Sequence, residues 1–292
     1  MRTTIGEVVG LRTGPAGGRP NVAAMAMPRL QVIGGGKMGE ALLAGLVAGA
    51  WAPPDELRAV ERLAPRADEL RRRFPGMEVT DEPGTARGHV LAVKPGDVEG
   101  ACRALAAAGE PAPVLSIAAG VTIARLEAAL APGTPVVRAM PNTPALVGAG
   151  AAAVAAGTTA GEAELAWAEQ VLGAVGLVER VDEPLLDAVT GLSGSGPAYV
   201  FLVAEALVEA GVLAGLPRPV STALATQTLL GAARLLDESP EGPEALRAAV
   251  TSPGGTTAAG LRALESAGVR AAFLDAVMAA TERSRELGSQ AS

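Results

Sequence analysis

Histidine and cysteine are almost absent from this sequence, since each occurs once, as His89 and Cys102. A single cysteine excludes an intrachain disulfide and any zinc site built from several cysteines. A single histidine leaves little from which to build a triad or a histidine-rich metal site. Cys102 falls in a helical stretch, where a buried and unreactive thiol is the expected state. We therefore predict no metal site and a reducing, cytoplasmic location.

Aromatic residues and long apolar runs are also scarce. Aromatics make up 2% of the residues, so the cores must be packed from Ala, Val and Leu. No run of 18 apolar residues lacks a Gly, Pro or polar interruption, so the sequence predicts no membrane span. The net charge of −7 argues against nucleic acid or an anionic membrane surface as a partner, because no basic face is available. An anionic ligand must therefore be held locally.

Two domains are expected from the length of 292 residues and from a hydrophobic content of 49%, which is enough for two cores. We predict a dinucleotide-binding domain over residues 29–182 and a helical domain over residues 183–292. Residues 1–28 are rich in glycine and proline and show neither helical periodicity nor the pattern of a signal peptide. We interpret them as a disordered extension, with Met25 or Met27 as an alternative start of translation.

A strand, a tight turn and a helix are predicted in that order at residues 30–49. A short apolar run enters three glycines and continues with apolar residues at helical spacing. Gly34, Gly36 and Gly39 have the G-x-G-x-x-G spacing of loops that place a pyrophosphate on the N-terminus of a helix. The first glycine permits unusual backbone angles, the second lets the phosphates approach, and the third lets helix and strand pack closely. An ordinary glycine-rich turn is the alternative, but the flanking strand and helix favour dinucleotide binding.

Six strands are predicted to alternate with helices up to residue 139, which indicates a doubly wound sheet. Residues 145–160 could add further strands, but their periodicity does not decide it. The loops that follow three of the strands fall on one edge of such a sheet, where open α/β sheets bind ligands. These loops are Val93–Pro95, Ala118–Gly120 and Met140–Pro144. This edge is the expected cofactor crevice.

Charged residues at the crevice bear on the choice of cofactor. Glu61 and Arg62 follow the second strand. An acid there bonds a free ribose 2′-hydroxyl, whereas an arginine accommodates a 2′-phosphate, so NADH and NADPH both stay open. Lys37 and Lys94 are the only lysines of the chain, and both fall at this edge. We expect at least one of them to act at the cofactor through its position and charge.

Helices dominate the sequence after Glu162, apart from a strand pattern at residues 176–181. The helices predicted at residues 196–213 and 219–236 are apolar over more than one face. A small helical domain has limited interior for such helices, so we expect a second subunit to cover them. The chain is therefore predicted to form a homodimer or a higher homo-oligomer, with no stable monomer at micromolar concentration.

The loop TSPGGTT at residues 251–257 is predicted to join two helices and to bind an anion. Its glycines let backbone N–H groups converge, and the next helix, predicted to begin at Ala258, points its N-terminus at them. Such a cradle holds a carboxylate or a phosphate without a basic side chain. The alternative is a plain turn and helix cap, since Ser and Thr are common caps.

Six motifs together resemble the pyrroline-5-carboxylate reductase family. Besides the glycine loop they are AVKP at 92–95, SIAAGVT at 116–122, RAMPNTPALVGAG at 138–150, GLSGSGPAYVF at 191–201 and TSPGGTT at 251–257. The resemblance covers residues 30 to about 287, and its last three motifs are more specific than the glycine loop. It implies a Rossmann domain, a helical dimerisation domain interwoven with its partner, and reduction of pyrroline-5-carboxylate to L-proline with NADPH or NADH. That reaction is the last step of proline biosynthesis.

The resemblance also implies which residues form the site. The substrate is a cyclic imine with one carboxylate, so it needs positioning against the nicotinamide rather than a metal or a covalent nucleophile. Thr257 is implied to contact the ring nitrogen as the catalytic residue. The residues implied to bind the substrate are Ser252, Gly254, Gly255, Thr256, Thr257, Ser195 and Glu183. The residues expected to bind the cofactor are Gly34, Gly36, Lys37, Met38, Gly39, Glu61, Arg62, Val93, Lys94, Pro95, Ala118, Ala119 and Asn142.

Two other functions are weighed against this one. A hydroxyacid dehydrogenase of similar two-domain plan needs a general acid or base, such as a lysine in the helical domain, whereas both lysines precede residue 95. A dinucleotide-sensing protein without turnover has no need of an anion cradle beside the cofactor. The loop at residues 251–257 argues against that second alternative.

Overall fold

The computed structural model describes residues 27–290, so most of the extension predicted at residues 1–28 lies outside the described residues. The strands of this part of the chain are β1 Leu30–Ile33, β2 Leu57–Val60, β3 Glu78–Thr80, β4 His89–Leu91, β5 Val114–Ser116, β6 Val136–Met140, β7 Gly150–Ala156 and β8 Gly176–Arg180. The helices are α1 Lys37–Ala48, α2 Ala64–Arg73, α3 Val98–Ala108, α4 Ile123–Ala129, α5 Glu162–Gly173, α6 Leu186–Val189, α7 Gly196–Leu213, α8 Arg218–Glu238, α9 Pro243–Ala249, α10 Thr256–Ser266 and α11 Val269–Gln290. A sheet domain is thus followed by a helical region.

The strands form one sheet in the order β3-β2-β1-β4-β5-β6-β7-β8. The strands from β3 to β6 are parallel, and the chain order reverses beside β1, which is the arrangement of a doubly wound fold. The predicted fold class is therefore confirmed. The six strands predicted up to residue 139 are all present, residues 145–160 contribute β7, and the strand pattern at residues 176–181 is β8. β7 runs antiparallel to β6 and parallel to β8. The sequence of β7, GAAAVAA, has no alternation of large apolar and polar residues, so its strand character comes from pairing with both neighbours.

Two apolar cores cover the two faces of the sheet. On one face α1 and α5 pack through Leu42, Leu46 and Leu172, and on the other α3 and α4 pack through Leu105 and Leu126. Small and branched aliphatic side chains fill both cores, as the shortage of aromatics predicts. Because helices cover both faces, a central strand such as β1 is buried along its whole length.

A buried polar cluster lies at the end of β1 away from the crevice. The side-chain amide of Gln31 donates from Nε2 to the Gly84 carbonyl at 3.1 Å and lies 3.1 Å from His89 Nδ1. Its Oε1 accepts from the Gly84 N–H at 3.0 Å and from Arg58 Nη1 at 3.3 Å. Burial, with a smaller contribution from the charge of Arg58, lowers the pKa of His89 from 6.5 to about 4. His89 is therefore a neutral structural residue at physiological pH.

We expect the protein to lose stability as the pH falls from 6.5 toward 4. In this window the unfolded chain binds a proton at its histidine while the folded chain does not, so stability rises with pH. The loss is about 3 kcal/mol of unfolding free energy, at about 1.4 kcal/mol for each pH unit between the two pKa values. Urea unfolding at pH 7 and pH 4 measures it, with His89→Gln as the control that lacks this titration. Because the chain has one histidine, its imidazole NMR signal reports the pKa directly, and titration near 6.5 would contradict the prediction.

The helical region leaves much of its apolar surface exposed. α7, predicted at residues 196–213, has those bounds and contains no buried residue. Exposed large apolar side chains, here called the apolar helical surface, are Val200, Phe201, Leu202, Leu207, Leu213, Leu216, Val220, Leu224, Leu230, Leu235, Leu236, Leu264, Phe273, Leu274, Met278 and Leu287. One continuous helical stretch, Glu183–Leu213, is long and apolar enough to cross a membrane by length and composition alone. An uncovered surface of this size marks an interface.

Candidate active site

Two cavities lie at the carboxyl edge of the sheet, on either side of the loop that follows β4. The first, here called the glycine-loop cavity, has a volume of about 420 Å³. Of the residues predicted at the cofactor, it brings together Gly34, Gly36, Glu61, Arg62, Val93 and Lys94. The ends of β1, β2 and β4 supply these residues because parallel neighbouring strands end at the same edge.

The three motif glycines, of which Gly34 and Gly36 line this cavity, have three different surroundings. Gly34 has a φ of +105°, and a Cβ atom there would lie 2.6 Å from the Ala92 carbonyl oxygen. A Cβ atom on Gly39 would lie 2.1 Å from the Gly34 carbonyl oxygen, so only glycine lets α1 pack this closely on β1. Around Gly36 the space is open to 4 Å. The loop therefore has a free approach at its second glycine, which fits the shape of a pyrophosphate group.

Glu61 and Arg62 have different partners despite being neighbours. The Glu61 carboxylate accepts from the Gly35 N–H at 3.1 Å and from the Leu63 N–H at 2.8 Å. Arg66, which sequence reasoning did not single out, donates from Nε to the Gly35 carbonyl at 2.7 Å. Together the two side chains hold both polar groups of Gly35 in the glycine loop. Arg62 is exposed at the cavity and makes none of the hydrogen bonds or ion pairs seen among residues 27–290.

The second cavity, here called the interdomain cavity, has a volume of about 490 Å³ and lies between the sheet edge and α11. Pro95, Ala119 and Ser195, all predicted at the site, line it. Its other lining residues are Gly96, Gly120, Val121, Arg125, Thr190, Ala280, Arg283, Ser284 and Leu287. The contribution of α11 had no signal in the sequence, since a lining face of a helix looks like any other polar face. Both cavities meet Pro95–Asp97, so a long ligand can extend from one to the other.

Several predicted site residues lie outside both cavities. Lys37 is exposed at the start of α1, and Met38 packs against the core. Ala118 is buried, whereas its neighbour Ala119 is exposed. Asn142 is also buried: its Nδ2 donates to the Ser193 carbonyl at 3.0 Å, and its Oδ1 accepts from the Ala151 N–H at 2.8 Å. The Asn142 amide thus joins the sheet to the segment before α7 instead of facing a cavity.

Glu183 also has partners within the protein. Its Oε1 accepts from the Ile123 N–H at 2.7 Å, at the first turn of α4, and from Arg138 Nη1 at 2.9 Å. The Arg138 side chain is largely buried in β6. Glu183, Arg180 and Asp182 line a third, open cavity that is separate from the two described above. Glu183 therefore connects the sheet domain to the helical region at a place away from Ser195.

The loop at residues 251–257 contains a tight turn, in which the Gly255 N–H donates to the Ser252 carbonyl at 3.1 Å. Gly254 has a φ of +70°, and a Cβ atom on Gly255 would lie 2.3 Å from Ser252 Oγ. α10 begins at Thr256, two residues earlier than predicted, because Gly255 in an extended conformation precedes the first turn. The N–H groups of that turn have no partner within the helix. None of the residues 251–257 lines either cavity, so this loop is separate from the cofactor crevice of its own chain.

Among residues 27–290, no group of three or more His, Cys, Asp or Glu side chains is placed to hold a metal. Cys102 is buried in α3, and burial raises the pKa of its thiol to about 11. It is therefore an unreactive thiol at neutral pH.

Each of the two parts of the chain matches a known protein family. Residues 183–287 match the family described as pyrroline-5-carboxylate reductase dimerisation. Residues 29–120 match the family described as NADP oxidoreductase, coenzyme F420-dependent. The apolar helical surface thus falls in a region that resembles a dimerisation domain, which indicates a protein partner for it.

Whole proteins resemble the chain over most of its length. A pyrroline-5-carboxylate reductase from Synechocystis is 45% identical over 265 residues, which cover 90% of this chain and 99% of the relative. The solved structure of a pyrroline-5-carboxylate reductase from Coxiella burnetii has a TM-score of 0.85 at 37% identity, covering 89% of this chain and 98% of that one. The crystal structure of the Plasmodium falciparum pyrroline carboxylate reductase with NADP bound has a TM-score of 0.78 at 28% identity, covering 90% of this chain and 99% of that one.

Proposed function

Because the chain belongs to the pyrroline-5-carboxylate reductase family, we propose a role in catalysis for each of its two cavities and for the loop at residues 251–257. The enzyme reduces 1-pyrroline-5-carboxylate to L-proline with NAD(P)H, the last step of proline biosynthesis, and it is a homo-oligomer. When bound, the dinucleotide supplies the hydride. The protein must bind both molecules, align them and stabilise the nitrogen as its basicity changes.

The glycine-loop cavity is proposed to bind the adenosine and pyrophosphate end of the cofactor. The observation that carries this assignment is the open space at Gly36 beside the first turn of α1, where free N–H groups favour an anion. Glu61 and Arg66 hold the loop in place through Gly35. Lys94 lies at the same cavity and adds positive charge. Lys37 and Met38 follow the loop in sequence and stay predicted neighbours of the phosphates.

Arg62→Ala is expected to raise the KM for NADPH about ten- to a hundredfold and to spare NADH. Glu61 is occupied by the glycine loop while Arg62 is exposed at the cavity, so Arg62 is the group free to bind a 2′-phosphate. The loss of one charge-assisted bond is about 1.5 to 3 kcal/mol. Steady-state kinetics with each cofactor measure the effect. Arg72→Ala, which removes an exposed charge of α2, is the matched control. Equal effects of Arg62→Ala on the KM values of both cofactors would contradict the assignment.

The interdomain cavity is proposed to hold the nicotinamide and the substrate ring. It continues from the glycine-loop cavity past Pro95, it includes Ala119 from the end of β5, and Ser195 reaches it from the other side. The substrate carbon is electrophilic once the ring nitrogen is protonated, so the protein needs no covalent nucleophile here. Arg125 and Arg283 lie at the wall, and each is ion-paired with a carboxylate, Arg125 with Glu99 at 2.8 Å and Arg283 with Glu286 at 2.6 Å. The substrate carboxylate therefore needs donors from elsewhere.

We propose that the partner subunit supplies the loop at residues 251–257 to this cavity. Backbone N–H groups of Gly254, Thr256 and Thr257 are proposed to bind the carboxylate, and the Thr257 hydroxyl to contact the ring nitrogen. The Gly255 N–H, also predicted as a donor, is instead used within the loop, where it donates to the Ser252 carbonyl at 3.1 Å. Support comes from the separation of this loop from the crevice of its own chain, together with the uncovered helices on either side of it. A second copy of the chain covers such helices and carries the same loop to them. The expected assembly is thus a homodimer or a multiple of it.

An assay of cofactor oxidation with pyrroline-5-carboxylate tests the function directly. Turnover with this imine and none with 2-hydroxyacids and NAD(P)⁺ is expected, and the opposite preference would favour the dehydrogenase alternative. Tight cofactor binding without any turnover would favour a sensing protein. The acidic net charge and the dimerisation match support a cytoplasmic enzyme whose apolar helices face a protein partner, with neither nucleic acid nor a membrane as partner.

A further inference from the structure

A single widened helical turn joins α6 to α7. Residues Thr190–Gly194 form a π-helix, in which the Ser195 N–H donates to the Thr190 carbonyl, five residues back, at 2.8 Å. An α-helix would instead pair the Ser195 N–H with the Gly191 carbonyl, four residues back. Turns of the π type are uncommon and are frequent at functional sites. The choice between the two pairings fixes how Ser195 is turned relative to the residues before it.

Side chains from other elements bond the carbonyl groups of this turn. The Tyr199 hydroxyl donates to the Gly191 carbonyl at 3.1 Å and lies 3.5 Å from the Ala276 carbonyl of α11. It takes the place of the main-chain donor that an α-helical turn would supply. Asn142 Nδ2 donates to the Ser193 carbonyl at 3.0 Å. The Tyr199 hydroxyl therefore stabilises the π pairing, because a buried carbonyl without a donor is costly. The Ser193 carbonyl has no α-helical donor in either pairing, since residue 197 is a proline, and Asn142 satisfies it and holds the turn against the segment that follows β6.

Close packing on both sides leaves this turn little room to rearrange. A Cβ atom on Gly191 would lie 2.3 Å from Thr281 Oγ1, and one on Gly194 would lie 2.8 Å from Met140 Cε. The turn is thus held between α11 and the end of β6. The turn requires glycine at Gly191, where a Cβ atom would also lie 2.7 Å from the Val277 carbonyl oxygen, and it is held by hydrogen bonds from Tyr199 and Asn142.

The pairing of the turn determines which side chains face the interdomain cavity. Two residues at the ends of the turn line that cavity. They are Thr190, with which the turn begins, and Ser195, which follows it. A change of one residue in pairing rotates one end of a helix against the other by about 100°. We propose that Tyr199 and Asn142 are positioning residues, which act on the reduction step by holding the π turn so that Ser195 faces the substrate. This proposal rests on the proposed placing of the substrate in the interdomain cavity.

Kinetics of Tyr199→Phe and Ser195→Ala, alone and combined, test the proposal. Tyr199→Phe is expected to lower kcat about three- to tenfold and to leave the KM for NADPH unchanged, because the glycine loop is untouched. If Tyr199 acts through Ser195, the combined variant turns over no more slowly than Ser195→Ala alone. Losses that multiply in the combined variant, or a Tyr199→Phe enzyme with the parent kcat, would overturn the proposal. A Ser195→Ala enzyme with parent kinetics would also overturn it, and would further show that the substrate does not meet Ser195.

Two further variants separate positioning from general stability. Ser221→Ala removes another buried hydroxyl that bonds a helix carbonyl, that of Val208 at 2.8 Å, at a place outside both cavities. It is expected to lower Tm about as much as Tyr199→Phe does and to leave kcat unchanged. Asn142→Asp keeps the acceptor for the Ala151 N–H and loses the donor to Ser193, so its kcat loss should also disappear in the Ser195→Ala background.

Faster amide exchange over residues 190–196 in Tyr199→Phe supports the proposal, and parent-like exchange there contradicts it.

Discussion

Thr257→Ala is expected to lower kcat/KM for pyrroline-5-carboxylate about ten- to a thousandfold. As the imine carbon is reduced, the ring nitrogen becomes a more basic amine, so a hydroxyl held beside it interacts more strongly along the reaction. The cost of one well-placed donor is about 1.5 to 4 kcal/mol. Because Thr257 lies in the first turn of α10, the alanine variant keeps the helix and the backbone N–H groups that are proposed to bind the carboxylate.

Steady-state kinetics of Thr257→Ala and Ser252→Ala provide the measurement and its comparison. Ser252→Ala should cost less, since Ser252 packs over Gly255 and its expected role is to shape the loop. The loss in Thr257→Ala should include a lower kcat, because the contact strengthens as the reaction proceeds. An alanine variant with the parent kcat and KM would show that Thr257 is only part of a helix start and would remove it from the site.

A mixture of two impaired variants is expected to regain activity if subunits share their sites. Gly36→Glu should fold, since the space at Gly36 is open, but its carboxylate then occupies the place proposed for the pyrophosphate. Thr257→Ala binds the cofactor and lacks the catalytic hydroxyl. A mixed dimer combines the intact crevice of one chain with the intact loop of the other, which leaves one complete site. Random assortment of two chains then gives about a quarter of the parent activity, because half of the dimers are mixed.

Co-expression of the two variants with different affinity tags isolates the mixed dimers for assay. Each variant expressed alone is the control, and sedimentation of the parent should show no stable monomer at micromolar concentration. If the loop serves the crevice of its own chain, the mixed dimer has no complete site and its activity equals the mean of the two variants. That outcome would refute the sharing of sites while leaving the reaction itself unaffected.

The sequence predicted those parts of the structure that depend on local geometry. The positive φ of Gly34 and the close approach of Gly39 to the Gly34 carbonyl arise within six consecutive residues, and the observed angle and distance agree with the prediction. The contact of Gly34 with Ala92 joins distant parts of the chain and was not predicted. α7 was predicted with the correct bounds because Pro197 suits a first helical turn and an apolar pattern follows it. The fold class followed from the regular alternation of strands and helices along the chain.

What the sequence did not reveal depends on contacts between distant residues. Nothing near Glu61 or Asn142 in the chain shows that the carboxylate bonds Gly35 or that the amide bonds Ser193. β7 is a strand because β6 and β8 pair with it, and its alanines carry no pattern of their own. The start of α10 was misplaced because threonine is common as a cap, whereas here Gly255 precedes the helix and both threonines lie within it.

The apolar helical surface has a consequence for how this enzyme is made. The cores on the two faces of the sheet are filled by residues of one chain, whereas the last helices stay uncovered until another chain binds them. The final step of maturation is therefore an encounter between two molecules, and its rate depends on chain concentration. Before assembly, the uncovered helices can also bind other exposed apolar surfaces. A high local concentration of newly made chains therefore favours both assembly and aggregation. The yield of active enzyme in a cell is thus decided by the competition between these two encounters.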